Sequence, residues 1–455
     1  MFKRSALFGL ILALALSMLA LVVAPISAQD ATPVPLPTAT FLPPVELGSG
    51  GTHISFWNGL TGSDGVTLID MLTPFAAAHP EVSVTIEQIP WGTLYTKLQA
   101  AFVAGQPPDV IILHSAEIAQ FASYGVLKDI SSWYTSKGGW FPDDDVSPVT
   151  RAGMDYQGVT YGIPLDNHGR GLWISKNAFK KAGLDPAMTP PTDYAGWVDL
   201  FQKLTLDKNG KNAADPAFDP KNVAQWGFTV GEWPNKNFLS ALYQNGGSFI
   251  SEDGKTITVN SEAGVKSLQQ LVDLVYKYHV SPQEAGFDTW QGFGAGNVAI
   301  LPTGTWFRNQ AASFTDIDSE AWPQFQFGDK KATYVGIHTW MVPATEEGDK
   351  LAAVETLVKW VSENQKGWAA SGQVPARLST QAELDPATYP SNILLGKSMA
   401  EYGFLDYSST AIQEMYAALD PELAAALNGQ KTAQQALDDA ASRMQQALDR
   451  ANSGS

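Results

Sequence analysis

The chain has 455 residues, a formal net charge of −17 and no cysteine. Acidity on that scale argues against nucleic acid or an anionic lipid surface as the main partner. The missing thiols exclude disulfides and lipid attachment through cysteine, so stability has to come from a large core.

Residues 1–28 read as an export signal. Lys3 and Arg4 give the positive start, residues 6–24 the apolar stretch, and Ile26-Ser27-Ala28 a small-residue cleavage site. The apolar stretch is also long enough to span a bilayer, so an uncleaved anchor is the alternative. Either way the body is expected outside the cytoplasm, extracellular or periplasmic. Residues 29–50, with PVPLPTATFLPP and GSGG, have the composition of an extended Pro/Thr/Gly-rich linker. The remaining length exceeds one ordinary core and suits two domains.

Residues 52–59 (THISFWNG) predict a first strand running into a glycine loop. Leu68, Met71, Leu72 and Phe75 have helical spacing over 67–78, stopped by His79-Pro80. Val82, Val84 and Ile86 alternate as a strand, and Leu94, Leu98, Phe102 and Val103 mark a helix ended by Gly105. The apolar run 110–113 suits a parallel strand buried on both faces. Strand and helix alternate, the doubly wound α/β pattern, in which ligands sit beyond the carboxyl ends of strands. Asn58, His114 and Glu117 occupy such positions.

The stretch 156–184 breaks at Pro164 and exposes three consecutive polar residues, Asp166, Asn167 and His168. It reads as a crossing between two lobes whose polar side chains face a ligand. Beyond it a helix is expected over 193–206, a polar loop over 207–222 and a strand over 226–230. A helix then leads to the turn Asn245-Gly246-Gly247. A short strand at 257–259, a helix at 263–278 and a strand at 298–301 follow. One strand over 334–342, carrying His338 and Trp340, crosses back, and helices are expected over 351–361 and 432–451.

Several short motifs recur in a characteristic order: FWNG, then FAAAHPEVSV, PPDV, FASYGVL, and YGIPLDNHG with ISKNAFKKAGLD. Asn245-Gly246-Gly247, FGAGNVAI, GTW and QVPAR come later. In that order and spacing the chain resembles the extracellular solute-binding proteins of ABC importers, in the carbohydrate-binding group that includes the maltose-binding protein. The resemblance implies two α/β lobes, each a sheet flanked by helices, joined by hinge strands. They close on a sugar and dock onto a membrane permease; the chain itself is expected to be a monomer. One lobe would be 51–164 with 331–376, the other 165–330 with 377–450. It also implies ligand contacts at Asn58, on the first loop, and at His114 and Glu117. His168 stands where the maltose-binding branch has an acidic contact, which puts maltose itself in question. Trp306 falls on a sugar-stacking position, and Tyr407 near a second aromatic one.

A pyranose needs hydrogen-bonding groups around its edge and ring faces against its C–H groups. Asn58, Glu117, Asp166, Asn167 and Glu232 supply the first; Trp233, Trp306 and Trp340 supply the second. Trp57, Trp173, Trp197 and Trp360 lie in regular runs and are assigned to packing. His114, His168 and His338 all fall on expected cleft edges. They admit zinc, but no C-x-x-C or H-E-x-x-H spacing accompanies them, so neither metal nor cofactor is assigned. The acidic loop 207–219 leaves a structural calcium open. A secreted glycosidase, using Glu117, Asp166 or Glu232, is the alternative from another class, and a binder of a non-sugar solute a third. The chain lacks eight βα repeats, and lobe crossings have no purpose in a glycosidase. No catalytic residue is assigned.

Overall fold

The computed structural model describes residues 42–453. The expected export signal and residues 29–41 of the expected linker lie outside them. Among the described residues no helix is long and apolar enough to cross a membrane.

The first lobe is built on a six-stranded sheet. Its order is Val45–Gly48, Val82–Gln88, Thr52–Asn58, Val110–His114, His338–Met341 and Gly162–Pro164. Thr52–Asn58 runs parallel to both Val82–Gln88 and Val110–His114. Alternation along one strand builds two cores. Val110 and Ile112 enter the cluster around Phe75 and Val354, while Ile111 and Leu113 enter the opposite cluster around Leu94 and Phe121. That division is why the run is apolar throughout. Val45–Gly48 corrects the expected linker: it is an antiparallel edge strand, with Val45 opposite Ile86. Val45 and Leu47 rest on the core, so four residues read as spacer are held by packing.

The second lobe is organised around the strand Asp166–Ser175. Ile300–Gly304, Ser319–Trp322, Thr333–Gly336 and Val374–Pro375 all pair along it antiparallel. Gly403–Leu405 extends the sheet parallel to Thr333–Gly336. Leu172 and Ile174 face the large helical core, and Trp173 faces a smaller cluster with Phe293 and Phe307. The helices Tyr194–Leu204 and Glu262–Tyr276 start on Asp193 and Ser261, whose side chains accept from Gly196 N and Gly264 N. The last two helices, Ile412–Leu427 and Ala433–Ser453, bury Met415, Leu419, Leu437 and Met444 in the same core.

The chain changes sheet at Leu165, between Gly162–Pro164 and Asp166–Ser175, and again at Ile337. The single strand expected over 334–342 is therefore two, Thr333–Gly336 in one sheet and His338–Met341 in the other. The return falls at Ile337 rather than 331, because Val335 and Gly336 still pair with Gly169 and His168. The strands expected at 226–230 and 257–259 are reduced to single bridges, Trp226 to Val298 and Ile257 to Ile250. Their apolar residues, Phe228 and Val230 among them, are buried by helices rather than laddered.

Candidate functional site

The strand registers bring three histidines to one place. His114 ends Val110–His114, and His338 is its cross-strand partner. His168 lies opposite Gly336, on the neighbouring strand of the other lobe. The rings of His168 and His338 stack with centroids 4.0 Å apart, and His114 lies 5.1 Å from His338 and 5.2 Å from His168. Asp166 sits fully buried behind them. Its Oδ1 meets His168 Nδ1 at 3.1 Å and its Oδ2 meets His338 Nδ1 at 2.8 Å. Trp368 Nε1 also donates to Oδ2, at 2.7 Å. Burial opposes charge on Asp166, yet His338 and the hydrogen bonds from both rings hold its carboxyl well below the usual carboxylate range. Burial, reinforced by His338, lowers His168 to about 4 and holds His114 well below the usual imidazole value.

These histidines form one wall of a cavity of about 410 Å³ at the crossing between the sheets, within the range of small-ligand sites. Trp91 comes from the first lobe; Trp233, Trp290, Trp306 and Tyr334 come from the second. Trp91 lies parallel to His338, centroids 5.4 Å apart and planes 5° from each other, and 4.3 Å from His114. It fits because residue 59 is glycine: a Cβ there would stand 2.0 Å from the indole. Trp306 lies on Gly304 in the same way, where a Cβ would approach to 2.1 Å. Trp306 Nε1 donates to Glu232 Oε1 at 3.4 Å, and Thr303 Oγ1 donates to the same oxygen at 2.9 Å. The other carboxylate oxygen receives Arg170 Nη1 in a buried ion pair. Asp64, Lys236, Gln310 and Gln373 supply hydrogen-bonding groups to the lining. Lys236 is held by Asp406 at 2.7 Å and by Tyr416 Oη at 2.9 Å.

Of the residues singled out in the sequence, His114, His168, Trp233, Trp306 and His338 line this cavity together. Asp166 and Glu232 stand behind it and hold the histidines and Trp306 in place. Five others lie elsewhere. Asn58 turns inward, its Oδ1 accepting from Leu60 N at 3.0 Å, and so shapes the loop instead of the cavity. Glu117 is buried against Gln413 of the second lobe. Asn167 points to the other side of its strand, where it accepts from Thr150 Oγ1 at 2.8 Å. Trp340 is 1% exposed and packs on Phe56: it shares a sheet face with His338 but sits one residue pair deeper. Tyr407 packs beside Phe249 on the core of the second lobe. In the loop 207–219, where the sequence leaves a structural calcium open, the Asp207 carboxylate accepts from the backbone N–H of Asn209, Lys211 and Asp219. Sequence reasoning passed over Asp64, Trp91, Lys236 and Tyr334. The signal for Trp91 was present: an indole just after Pro90, where the strand Val82–Gln88 ends.

Two α/β lobes crossed by shared strands, with an aromatic cavity at the crossing, define a solute-binding protein. The chain belongs to the family of bacterial extracellular solute-binding proteins, whose model matches residues 58–367. Members of that family bind solutes and are not enzymes. A putative binding protein of Brucella abortus is 28% identical over 127 residues, a match spanning only 28% of each chain. The galactooligosaccharide-binding protein of Bacillus subtilis is 24% identical over 409 residues, 86% of this chain and 89% of that one. An ABC substrate-binding protein of Listeria monocytogenes, solved with cycloalternan, shares the fold with a TM-score of 0.73. It is 22% identical and is covered over 99% of its length, against 87% of this chain.

Proposed function

We propose that this chain captures a sugar, mono- or oligosaccharide, between its lobes and delivers it to the permease of an ABC importer. It would do so as a monomer outside the cytoplasmic membrane, exported or tethered by residues 1–28. The observation that carries this reading is the ring set supplied by both lobes to one cavity, Trp91 on one side and Trp233, Trp290 and Trp306 on the other. Aromatic faces receive the C–H faces of a pyranose, and Asp64, Lys236, Gln310 and Gln373 suit its hydroxyls. Galactooligosaccharide, for which the Bacillus protein is named, and cycloalternan, with which the Listeria protein was solved, are of the same class. A solute touching both lobes favours the closed form, and about 5.5 kcal/mol of differential affinity moves a population from 1:99 to 99:1.

A thermal-shift screen over mono- and oligosaccharides tests the reading, since a tight ligand raises the melting temperature by mass action. At least one sugar is expected to do so, and Trp306→Ala to weaken its binding at least tenfold. No response across the panel, or unchanged affinity in the variant, overturns it. The glycosidase alternative requires two carboxylates across the scissile bond. Asp166 is enclosed by His168, His338 and Trp368, Glu232 is paired with Arg170, and Glu117 faces Gln413. That leaves Asp64 as the carboxylate among the described lining residues. A reducing-sugar assay is accordingly expected to show stoichiometric capture without turnover.

A further inference from the structure

The three histidines come from separate strands, so no local spacing motif in the sequence can reveal what they form together. One ring nitrogen from each lies within 4.8 Å of the others. The geometry points to a divalent transition-metal site made by His114, His168 and His338, with a fourth coordination position open to the cleft.

Three features carry the argument beyond proximity. In each ring Nδ1 is already engaged: His168 and His338 on the two oxygens of Asp166, His114 on Tyr95 Oη at 2.5 Å. A carboxylate accepting from Nδ1–H fixes the tautomer and leaves the lone pair on Nε2, and such partners are the usual outer shell of metal-ligating histidines. Asp166 is also the negative charge a bound cation needs, within one residue's reach of two ligands. The neighbouring positive charge, Lys236, is matched by Asp406. Finally, a sugar floor made of Trp91 and Trp306 gives no reason for a buried carboxylate locking two imidazoles, whereas a carboxylate in that position is a common outer-shell partner of metal-ligating histidines.

Three imidazoles with an open fourth position suit zinc, cobalt, nickel or copper ions rather than calcium or magnesium. Metal–nitrogen bonds of about 2.0–2.1 Å place tetrahedral ligand atoms about 3.3 Å apart, so binding has to draw the three nitrogens in from their present spacing and tilt the stacked His168 and His338 rings toward a common point. The open position faces the lining that holds Trp91 and Trp306, where a solute hydroxyl or carboxylate, or water, would take it. The site stands independently of which solute fills the cleft.

The experiment uses full-length protein treated with a chelator and titrated, without sugar, with Co²⁺ and then Zn²⁺. One equivalent of Co²⁺ is expected to give the visible absorption of a four-coordinate site, displaced by one equivalent of Zn²⁺. His168→Gln and His114→Gln are each expected to weaken binding at least tenfold. Asp166→Asn, which keeps all three ligands but loosens their aim, is expected to weaken it about 10–100-fold. Circular dichroism checks folding. Should those variants unfold, Tyr95→Phe keeps the ligands and is expected to retain one equivalent at lower affinity. No stoichiometric binding by the unmodified protein, or equal affinity in folded His168→Gln, overturns the site. Sugar shifts measured on the metal-free protein keep the two proposals apart: a sugar response without a metal response sinks only this one, and the converse sinks only sugar capture.

Discussion

Trp233 holds a backbone conformation that tryptophan rarely adopts, φ +48 and ψ 62, at the start of the helix Pro234–Gln244. A left-handed non-glycine residue costs about 1–3 kcal/mol and persists where something else requires it. Packing does not, because the residue is 47% exposed. What the strain achieves is an indole projecting into the cleft. Trp233→Gly is therefore expected to raise the melting temperature slightly while lowering sugar affinity, and a loss of both would show that the ring is structural. Trp340→Ala should do the opposite. Removing a buried ring costs about 3–5 kcal/mol in denaturant unfolding, yet sugar affinity of the folded protein should be unchanged. The two tryptophans look alike in sequence. Burial separates them, and burial depends on depth in the sheet, which period-two alternation does not encode.

Along the strand Asp166–Ser175 the side chains of Asp166, His168 and Arg170 share one face, and each does a different thing. Arg170 is fully buried and contacts Glu232, Asn237 Oδ1 at 2.9 Å and Pro302 O at 2.7 Å. It thereby fixes the carboxylate that carries Trp306. Glu232→Gln leaves a buried guanidinium without its counter-charge, a change expected to cost about 3–5 kcal/mol in urea unfolding. Adding Arg170→Met should recover much of that, since the orphaned charge is then gone; a single variant costing under about 1 kcal/mol would show that the pair is not desolvated. The strand itself was legible, because Pro164 and the polar run after it mark a chain leaving one sheet for another. Its partnerships were not. Arg170 and Glu232 are 62 residues apart, and nothing in the local pattern of either distinguishes an ion pair from a ligand contact. Trp91 was missed for a related reason: it opens a helix, and only the parallel sheet shows that this helix end faces the cleft. Val45–Gly48 carries no strand signal of its own because four residues beside prolines make no periodicity, whereas its pairing with Val82–Gln88 is long-range.

The proposed closure of the lobes on a solute needs contacts between them that form and break without a large penalty, and Glu117 is placed to make one. It follows the strand Val110–His114 in the first lobe, and its Oε1 accepts from Gln413 Nε2 of the second at 2.6 Å. Burial pushes this carboxyl from its ordinary 4.5 up to about 8, with Asp406 adding to the rise and Lys236 opposing it. A raised carboxyl pKa means that the folded protein holds the proton when the unfolded chain has released it. The contribution of this group to stability should therefore fall as pH rises from about 4.5 to about 8, and level off above. The lowered His168 and His114 act in the opposite sense below about 6.5, so the group is read by comparison with a variant. Glu117→Gln keeps an acceptor for Gln413 and removes the titration. Melting temperatures of the two proteins should coincide near pH 5 and separate in favour of the variant by pH 9. Parallel profiles would mean that the carboxyl is hydrated and the lobes are not in contact there. Small-angle scattering reads the same group through closure: sugar should contract the unmodified protein less at pH 9 than at pH 6, because closing then buries an anion. In Glu117→Gln the contraction should be the same at both, and a pH dependence surviving in that variant would move the effect to another group.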